Sequence, residues 1–301
     1  MSGAFAVCDI AFVGHVCRDE VVSFGGPPRV APGSAVLCGA LAAARVGARV
    51  AVVTRMSPAD TDILLPMRDL GIAVHVTPTE VTTLMKVVHP SPNVDEREMY
   101  QLESAGRFLP ADVPHLDARV VHLAGITDQE FDLAFVRDLK GRGHRLSADM
   151  QSFVRQVDPR TRQVAFDDVP GKAEIAQLLD IAKLDVVEAR VLTGSDDLEA
   201  AALAFERWGC PEVVITRSDG VLARANGATC WQPFTNSSML GRTGRGDTAF
   251  AAYLSWRLAH DADESLRFAA ALTSLKLEKP GPFTGSLADV LARMHDAARM
   301  P

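Results

Sequence analysis

The residue types and spacing best suited to chemistry lie in Gly241-Arg242-Thr243-Gly244-Arg245-Gly246-Asp247-Thr248-Ala249-Phe250. Glycines at a helix start let successive backbone N–H groups turn toward one point, where the positive end of the helix dipole adds to them. A transferring phosphoryl group is an anion that such a cradle stabilises. Asp247 falls in the first turn, where its carboxylate could accept the proton of an attacking hydroxyl. A glycine-rich loop with Asp247 as helix N-cap satisfies the same spacing, so the segment alone leaves both readings open. Arg245-Gly246-Asp247 also spells an integrin-adhesion tripeptide, a coincidence in a chain expected to be cytosolic.

These residues need elements to hold them, and the chain alternates strands with helices. It reads as a strand over 9–13, a short strand over 21–24, a turn-rich stretch over 25–32, an Ala-rich helix over 34–46 and a strand over 49–54. A helix over 61–70, despite Pro66, precedes strands over 72–76, 84–88 and 98–102. Strands then end at 123, 148, 187 and 216, separated by helices over 129–140, 172–180 and 196–208. A hairpin over 220–231 leads to three helical stretches after Gly246, the first an amphipathic helix through Leu258. The rhythm predicts a doubly wound α/β fold. The strands that lack intervening helices fit a small β-sheet projecting from this fold, within 15–32 and 83–104, and no repeat or linker divides residues 1–301 into two domains.

Composition narrows the classes further. Hydrophobic residues make up 48% and charged residues 23% of 301, as in a globular protein, but aromatics are only 6%. The core must therefore rest on Ala, Val and Leu between helices and a sheet. With 38 acidic residues against 31 Lys plus Arg and a net charge of −7, no basic excess is available for nucleic acid or an anionic membrane surface. No run reaches the roughly 18 apolar residues of a membrane span, and no secretory signal opens the chain, so a cytoplasmic location is expected. Cys8, Cys17, Cys38, Cys210 and Cys230 follow no zinc spacing and read as reduced thiols.

Over nearly its whole length the chain resembles the ribokinase/PfkB family of carbohydrate kinases. Residues 241–247 are similar to the family's D-T-x-G-A-G-D at Gly244, Gly246 and Asp247, with Thr243 at the variable position. Asp185 through Gly194 resembles N-x-x-E-A-x-x-L-T-G, and Val213 through Gly220 resembles V-V-T-x-G-x-x-G. Gly14 through Asp19 matches the spacing that brings an Asp to substrate hydroxyls. Pro32 through Cys38, running into Ala42 through Ala48, looks like the G-G-x-x-x-N signature and its A-A-x-L-G sequel.

The resemblance implies a ribokinase-like three-layer sandwich with a central, mostly parallel sheet and a small β-sheet lid. It implies ATP and Mg²⁺, with Asp247 as base and Gly244, Arg245 and Gly246 as the anion hole. Glu188 would organise Mg²⁺ through water. Asp185, Thr216, Arg217, Ser218, Gly220 and Thr243 would lie beside the nucleotide. Asp19, Gly33, Ser34, Cys38, Gln151 and Arg155 would meet a sugar, polyol or nucleoside, and family members often dimerise through the lid.

Departures from the family pattern bear on substrate choice. Arg245 replaces an Ala, Ser218 stands at a Gly, and Asp185 replaces an Asn. Gly241 and Arg242 replace the leading Asp, often tied to a monovalent-cation site, and its Thr. Ser34 replaces the second Gly of the first signature, and Cys38 replaces an Asn that commonly holds a sugar hydroxyl. Residues 149–155 sit where the family often has D-x-N-x-R, with Gln151 for the Asn and Arg155 two residues late. This stretch and Cys38 resemble the myo-inositol kinase branch, so a cyclic polyol is favoured over a nucleoside or an aldose. The competing readings are a nucleoside kinase of the same family and a non-catalytic nucleotide- or polyol-binding regulator. A dehydrogenase is disfavoured, because no G-x-G-x-x-G follows the first strand.

Overall fold

The computed structural model describes residues 5–92 and 96–297. Strand β1 (Ala6–Val13) enters the core, β2 (Cys17–Val22) and β3 (Pro28–Gly33) leave it, and α1 (Ala35–Arg45), β4 (Val50–Met56), α2 (Leu65–Asp69) and β5 (Ala73–Pro78) return to it. After β6 (Thr83–Val88) and β7 (Glu98–Glu103) come β8 (Leu116–Leu123), α3 (Leu133–Gly141), β9 (Leu146–Asp149), the one-turn α4 (Gln151–Val154), β10 (Arg155–Val157) and β11 (Val164–Phe166). The rest comprises α5 (Lys172–Leu178), β12 (Ile181–Asp185), α6 (Val186–Thr193), α7 (Leu198–Arg207), β13 (Glu212–Thr216), β14 (Gly220–Ala225), β15 (Ala228–Pro233), α8 (Arg245–Arg257), α9 (Ala262–Leu277) and α10 (Leu287–Ala297).

Nine strands form one sheet in the order β15-β14-β13-β12-β9-β8-β1-β4-β5. All neighbours are parallel except β14 and β15, which close one edge as an antiparallel hairpin. The period-2 alternation of β1 builds both faces. Ile10 and Phe12 pack toward α1, α8, α9 and α10, and Ala11 and Val13 toward α3, α5, α6 and α7. Helices thus cover both faces of a mostly parallel sheet, as its near-continuous apolar strands require. A second sheet, ordered β3-β2-β6-β7, projects from this sandwich; β2 and β6 run parallel and the outer strands antiparallel.

Several elements depart from the sequence expectation. The turn-rich stretch over 25–32 contains β3, an edge strand where Pro28 and Pro32 cost few ladder hydrogen bonds. The helix expected over 61–70 is split into a 3-10 segment, Pro58–Leu64, and the short α2, because Pro66 cannot continue the hydrogen-bond ladder. The strand expected to reach 187 ends at Asp185, whose side chain accepts from the Val187 and Glu188 N–H groups and starts α6. Helix α3 begins at Leu133, capped by Asp132. Helix α8 is not amphipathic: Thr248 through Leu254 are all buried between α1, α9 and the sheet. Among the described residues no helix is long and apolar enough to cross a membrane, and all five cysteines are free.

Candidate active site

In an open parallel sheet, ligands settle outside the carboxyl ends of the strands where the strand order reverses. Here β1, flanked by β4 and β8, is that switch point. Asp149, Asp185 and Thr216 are the last residues of β9, β12 and β13, and Gly246 at the start of α8 lies against Thr216 and Lys183.

Gly244 is the N-cap of α8, with a left-handed φ of 75°, so Asp247 sits inside the first turn and is not the cap. The cradle is tightly enclosed. A Cβ on Gly244 would lie 2.5 Å from Cys38 Sγ, and one on Gly246 would lie 3.2 Å from Lys183 Nζ and 3.5 Å from Thr216 Oγ1. The Thr248 N–H donates to Gly244 O at 3.0 Å, and the Arg245 N–H turns back to Arg242 O at 3.2 Å. The first-turn amides of Gly246 and Asp247 have no intrahelical acceptor and are the donors a ligand would meet.

The second sheet brings Asp19 to this place. A Cβ on Gly33 would fall 1.9 Å from Asp19 Oδ2, so only glycine at 33 lets the carboxylate lie against β3. The Cys17 thiol donates to Asp19 Oδ1 at 3.1 Å. Burial raises the Asp19 pKa, the Cys17 hydrogen bond opposes this, and the Asp247 charge adds to the rise. Cys38 lies between the two carboxylates; burial and the Asp247 charge push its thiol up to about 12, so it is a neutral SH at the site. Ser34 is held at φ 117°, and its Oγ accepts from the Leu37 N–H at 3.1 Å as the cap of α1. The Gln151 Nε2 donates to Gly125 O at 2.7 Å, which ties it to the chain after β8 and not to Asp19 or Cys38.

The opposite wall is cationic. Lys183 and Asp149 form a buried pair at 2.8 Å. Burial works against the Lys183 ammonium, but Asp149, Glu188, Asp247 and Asp185 together hold its pKa above the ordinary value. Glu188 is fully buried; its Oε2 accepts from the Asp185 N–H at 2.8 Å and its Oε1 lies 3.5 Å from Arg155 Nη2. Burial, then the neighbouring Asp185, raise its pKa to about 8. Arg155 stacks over Phe166, 5.6 Å from the ring centroid, and its buried Nε has no partner among the described residues. Arg245 likewise carries a buried Nη1 without a partner among them, within the fields of Arg242, Asp185, Arg97 and Asp219. Arg97 in turn feels Arg155, Asp185, Glu188 and Asp247.

The other expected nucleotide contacts are partly committed elsewhere. Arg217 forks onto Asp219 at 2.6 and 2.9 Å and lies 4.4 Å from the Trp231 ring centroid. Gly220 makes room for Trp231, whose Cζ2 a Cβ would meet at 2.4 Å. Thr216 Oγ1 donates to Leu184 O at 3.4 Å, Ser218 is exposed, and the Thr243 carbonyl points inward to Lys276 while the residue is exposed. Sequence reasoning missed Lys183, Arg97 and Lys276, and it gave Asp149 no role beyond being the first residue of the D-x-N-x-R-like stretch. Lys183 carried a local signal, a lone charge within the buried strand Ile181-Ala182-Lys183-Leu184.

Among the described residues no three His, Cys, Asp or Glu side chains gather as a metal site. The donor set nevertheless fits Mg²⁺ in its usual form, largely hydrated and shared with substrate phosphates. Asp185 and Asp247 are the partly exposed carboxylates that would hold it, with Glu188 buried behind Asp185.

A helix N-terminus with free amides beside a carboxylate, at the switch point of an α/β sheet that carries a small second sheet, suits phosphoryl transfer to an alcohol. The chain belongs to the pfkB family of carbohydrate kinases, whose model matches residues 11–288. It is 27% identical over 258 residues to a cytidine kinase of Thermococcus kodakarensis, covering 82% of this chain and 87% of that one. It is also similar to a pyrophosphate-dependent kinase of the ribokinase family solved with sulfate, with 30% identity, TM-score 0.87 and coverage of 94% and 99% of the two chains. A structure of a pyrophosphate-dependent kinase of that family with a pyrophosphate analogue and myo-inositol aligns at 29% identity and TM-score 0.85, covering 94% and 99%.

Proposed function

We propose that this kinase phosphorylates a hydroxyl of a cyclic polyol of the inositol type, and that its donor is inorganic pyrophosphate in preference to the ATP expected from the sequence. The observation that carries the donor reading is the pair of buried, unpartnered guanidinium nitrogens, Arg155 Nε and Arg245 Nη1. A buried donor left unmade costs about 1–3 kcal/mol, so such groups are kept for an anion. Pyrophosphate has no base or ribose, and all of its binding energy must come from charge. Arg97, Arg155, Arg242, Arg245 and Lys183 supply that charge around Asp185 and Asp247. The loop that would adjoin a nucleoside has Arg217 engaged with Asp219 and Trp231. The likeness to pyrophosphate-dependent kinases at 29–30% identity supports the same reading.

In this mechanism Asp19 accepts a hydrogen bond from an acceptor hydroxyl and orients the polyol against Cys38. The reacting oxygen attacks the terminal phosphorus in line and its proton passes to Asp247. The bond to the bridging oxygen breaks and orthophosphate leaves. The Gly246 and Asp247 amides and the arginines meet the charge on the transferred group, so catalysis is mainly positioning and electrostatics. Mg²⁺, when bound, neutralises charge on the donor. The second sheet bears Asp19, so seating the acceptor and shielding it from water are coupled.

Initial rates with pyrophosphate or ATP against inositols, cytidine and ribose test the reading. The expected result is the highest kcat/KM for pyrophosphate with an inositol. Faster turnover with ATP would overturn the donor assignment, and faster turnover of cytidine, the substrate class named by the 27% identical relative, would overturn the acceptor assignment.

A further inference from the structure

A lysine lies beneath the loop that leads into α8. Lys276, in the last turn of α9, is 1% exposed, and its ammonium donates to the carbonyl oxygens of Gly241 and Thr243. The same loop is fastened to the end of α9 by its own amides, since the Leu240 and Gly241 N–H groups both donate to Leu277 O, at 2.9 and 2.8 Å. No side chain fits at 241: a Cβ there would lie 1.8 Å from Lys279 O and 2.6 Å from Lys276 O. An aspartate at this position, as in the family pattern, is therefore incompatible with the loop as it stands, and so is an acidic cation ligand at 241.

Two converging carbonyls need hydrogen-bond donors, and the Lys276 ammonium has only donors to offer. Burial lowers the Lys276 pKa, while the Asp247 charge favours its charged form and Arg245 opposes it. With almost no exposed surface Lys276 cannot touch donor or acceptor, so whatever it does passes through the loop.

We infer that Lys276 is a positioning residue acting as a tethered monovalent cation. It fixes the carbonyls of Gly241 and Thr243, thereby aims the first-turn amides of α8, and makes turnover independent of dissolved potassium or ammonium. The inference rests on the phosphotransferase reading of α8 but not on the identity of donor or acceptor.

The test compares wild type and Lys276→Ala in potassium, ammonium, methylammonium and choline chloride at equal ionic strength. Wild-type turnover and melting temperature should be the same in all four salts. Lys276→Ala should lose about 100-fold in kcat, the size of an oxyanion-hole defect, with KM little changed. Ammonium or methylammonium, small enough for the vacated space, should restore about tenfold of that loss and raise the variant's melting temperature. Activation of the wild type by potassium, near-normal kcat in Lys276→Ala, or a folded variant that no small cation rescues would each overturn the inference. Lys276→Met, which fills the space without charge, should be inactive and unrescued; rescue there would assign the effect to bulk salt and overturn it too. The wild-type comparison decides the matter even if both variants fail to fold. The melting data need no substrate, so silence of every donor–acceptor pair would sink the proposed function and leave the lysine still testable.

Discussion

At the residue scale, the orphaned guanidinium nitrogen of Arg245 carries a direct consequence. If it meets the donor, Arg245→Met removes one charge-assisted hydrogen bond, worth about 1.5–3 kcal/mol, and should raise the donor KM by tenfold or more while the acceptor KM stays within a factor of about two. Steady-state kinetics with each substrate varied in turn checks this; equal changes in both constants would mean a general loss of the site. Ser34 yields a stability prediction. Its φ of 117° suits glycine, and its side chain earns only a helix cap in return. Such strain costs of order 1–3 kcal/mol, offset partly by the few tenths lost when glycine replaces a serine cap and by the entropy of the freed chain. Ser34→Gly should therefore shift the denaturant midpoint upward by up to about 1 kcal/mol of stability, and a lower midpoint would show that the cap outweighs the strain.

At the scale of elements, the connection from β1 to β2 is held by a buried carboxylate. Glu130 accepts from the His15 N–H at 2.7 Å and the Ile126 N–H at 2.5 Å. The His15 ring contacts Thr83 Oγ1 at the start of β6 at 2.8 Å and Gly106 O just past β7 at 2.9 Å, so one cluster joins both crossings between the sheets. Burial keeps His15 neutral, with its pKa lowered to about 3. Burial raises Glu130 from 4.5 to about 7 against the pull of its backbone donors. A folded pKa above the unfolded one gives stability that is complete below about pH 4.5 and is lost as pH rises through about 7. The shift corresponds to on the order of 3 kcal/mol. The unfolding free energy of wild type minus that of Glu130→Gln, neutral at every pH, should fall by this order between acidic and alkaline buffer. A difference that is flat with pH would mean that the pKa of Glu130 is the same folded and unfolded.

For the whole molecule, the parts read best from sequence were those written in local chemistry. Gly244, Gly246 and Asp247 announced a helix start, whereas Asp185 and Glu188, whose reciprocal capping hydrogen bonds start α6, fall within and just past the strand expected to reach 187. The alternation of apolar strands and helices gave the layered sheet. What escaped was non-local. Strand β3 exists because β2 offers it an edge, and its two prolines read as turn residues until that partner is known. Lys276 lies 35 positions from Gly241, and only packing of α9 beneath the loop makes it part of the site. Arg155, two residues beyond the family spacing, follows the one-turn α4 and opens β10, and only the fold brings it beside Glu188. The net charge of −7 likewise conceals a cationic crevice, since charge balance averages over surface that the ligand never meets.

Asp247, in the first turn of α8 near Asp19 and Cys38, is assigned as the group that takes the proton of the attacking hydroxyl. Substitution Asp247→Asn keeps the shape and removes the basicity together with a negative charge that would help hold Mg²⁺. Single-turnover and steady-state rates of this variant are the most direct measurement. The kcat should fall by about 10²–10⁴ with the acceptor KM nearly unchanged and the melting temperature preserved. Near-wild-type kcat in Asp247→Asn would contradict the assignment.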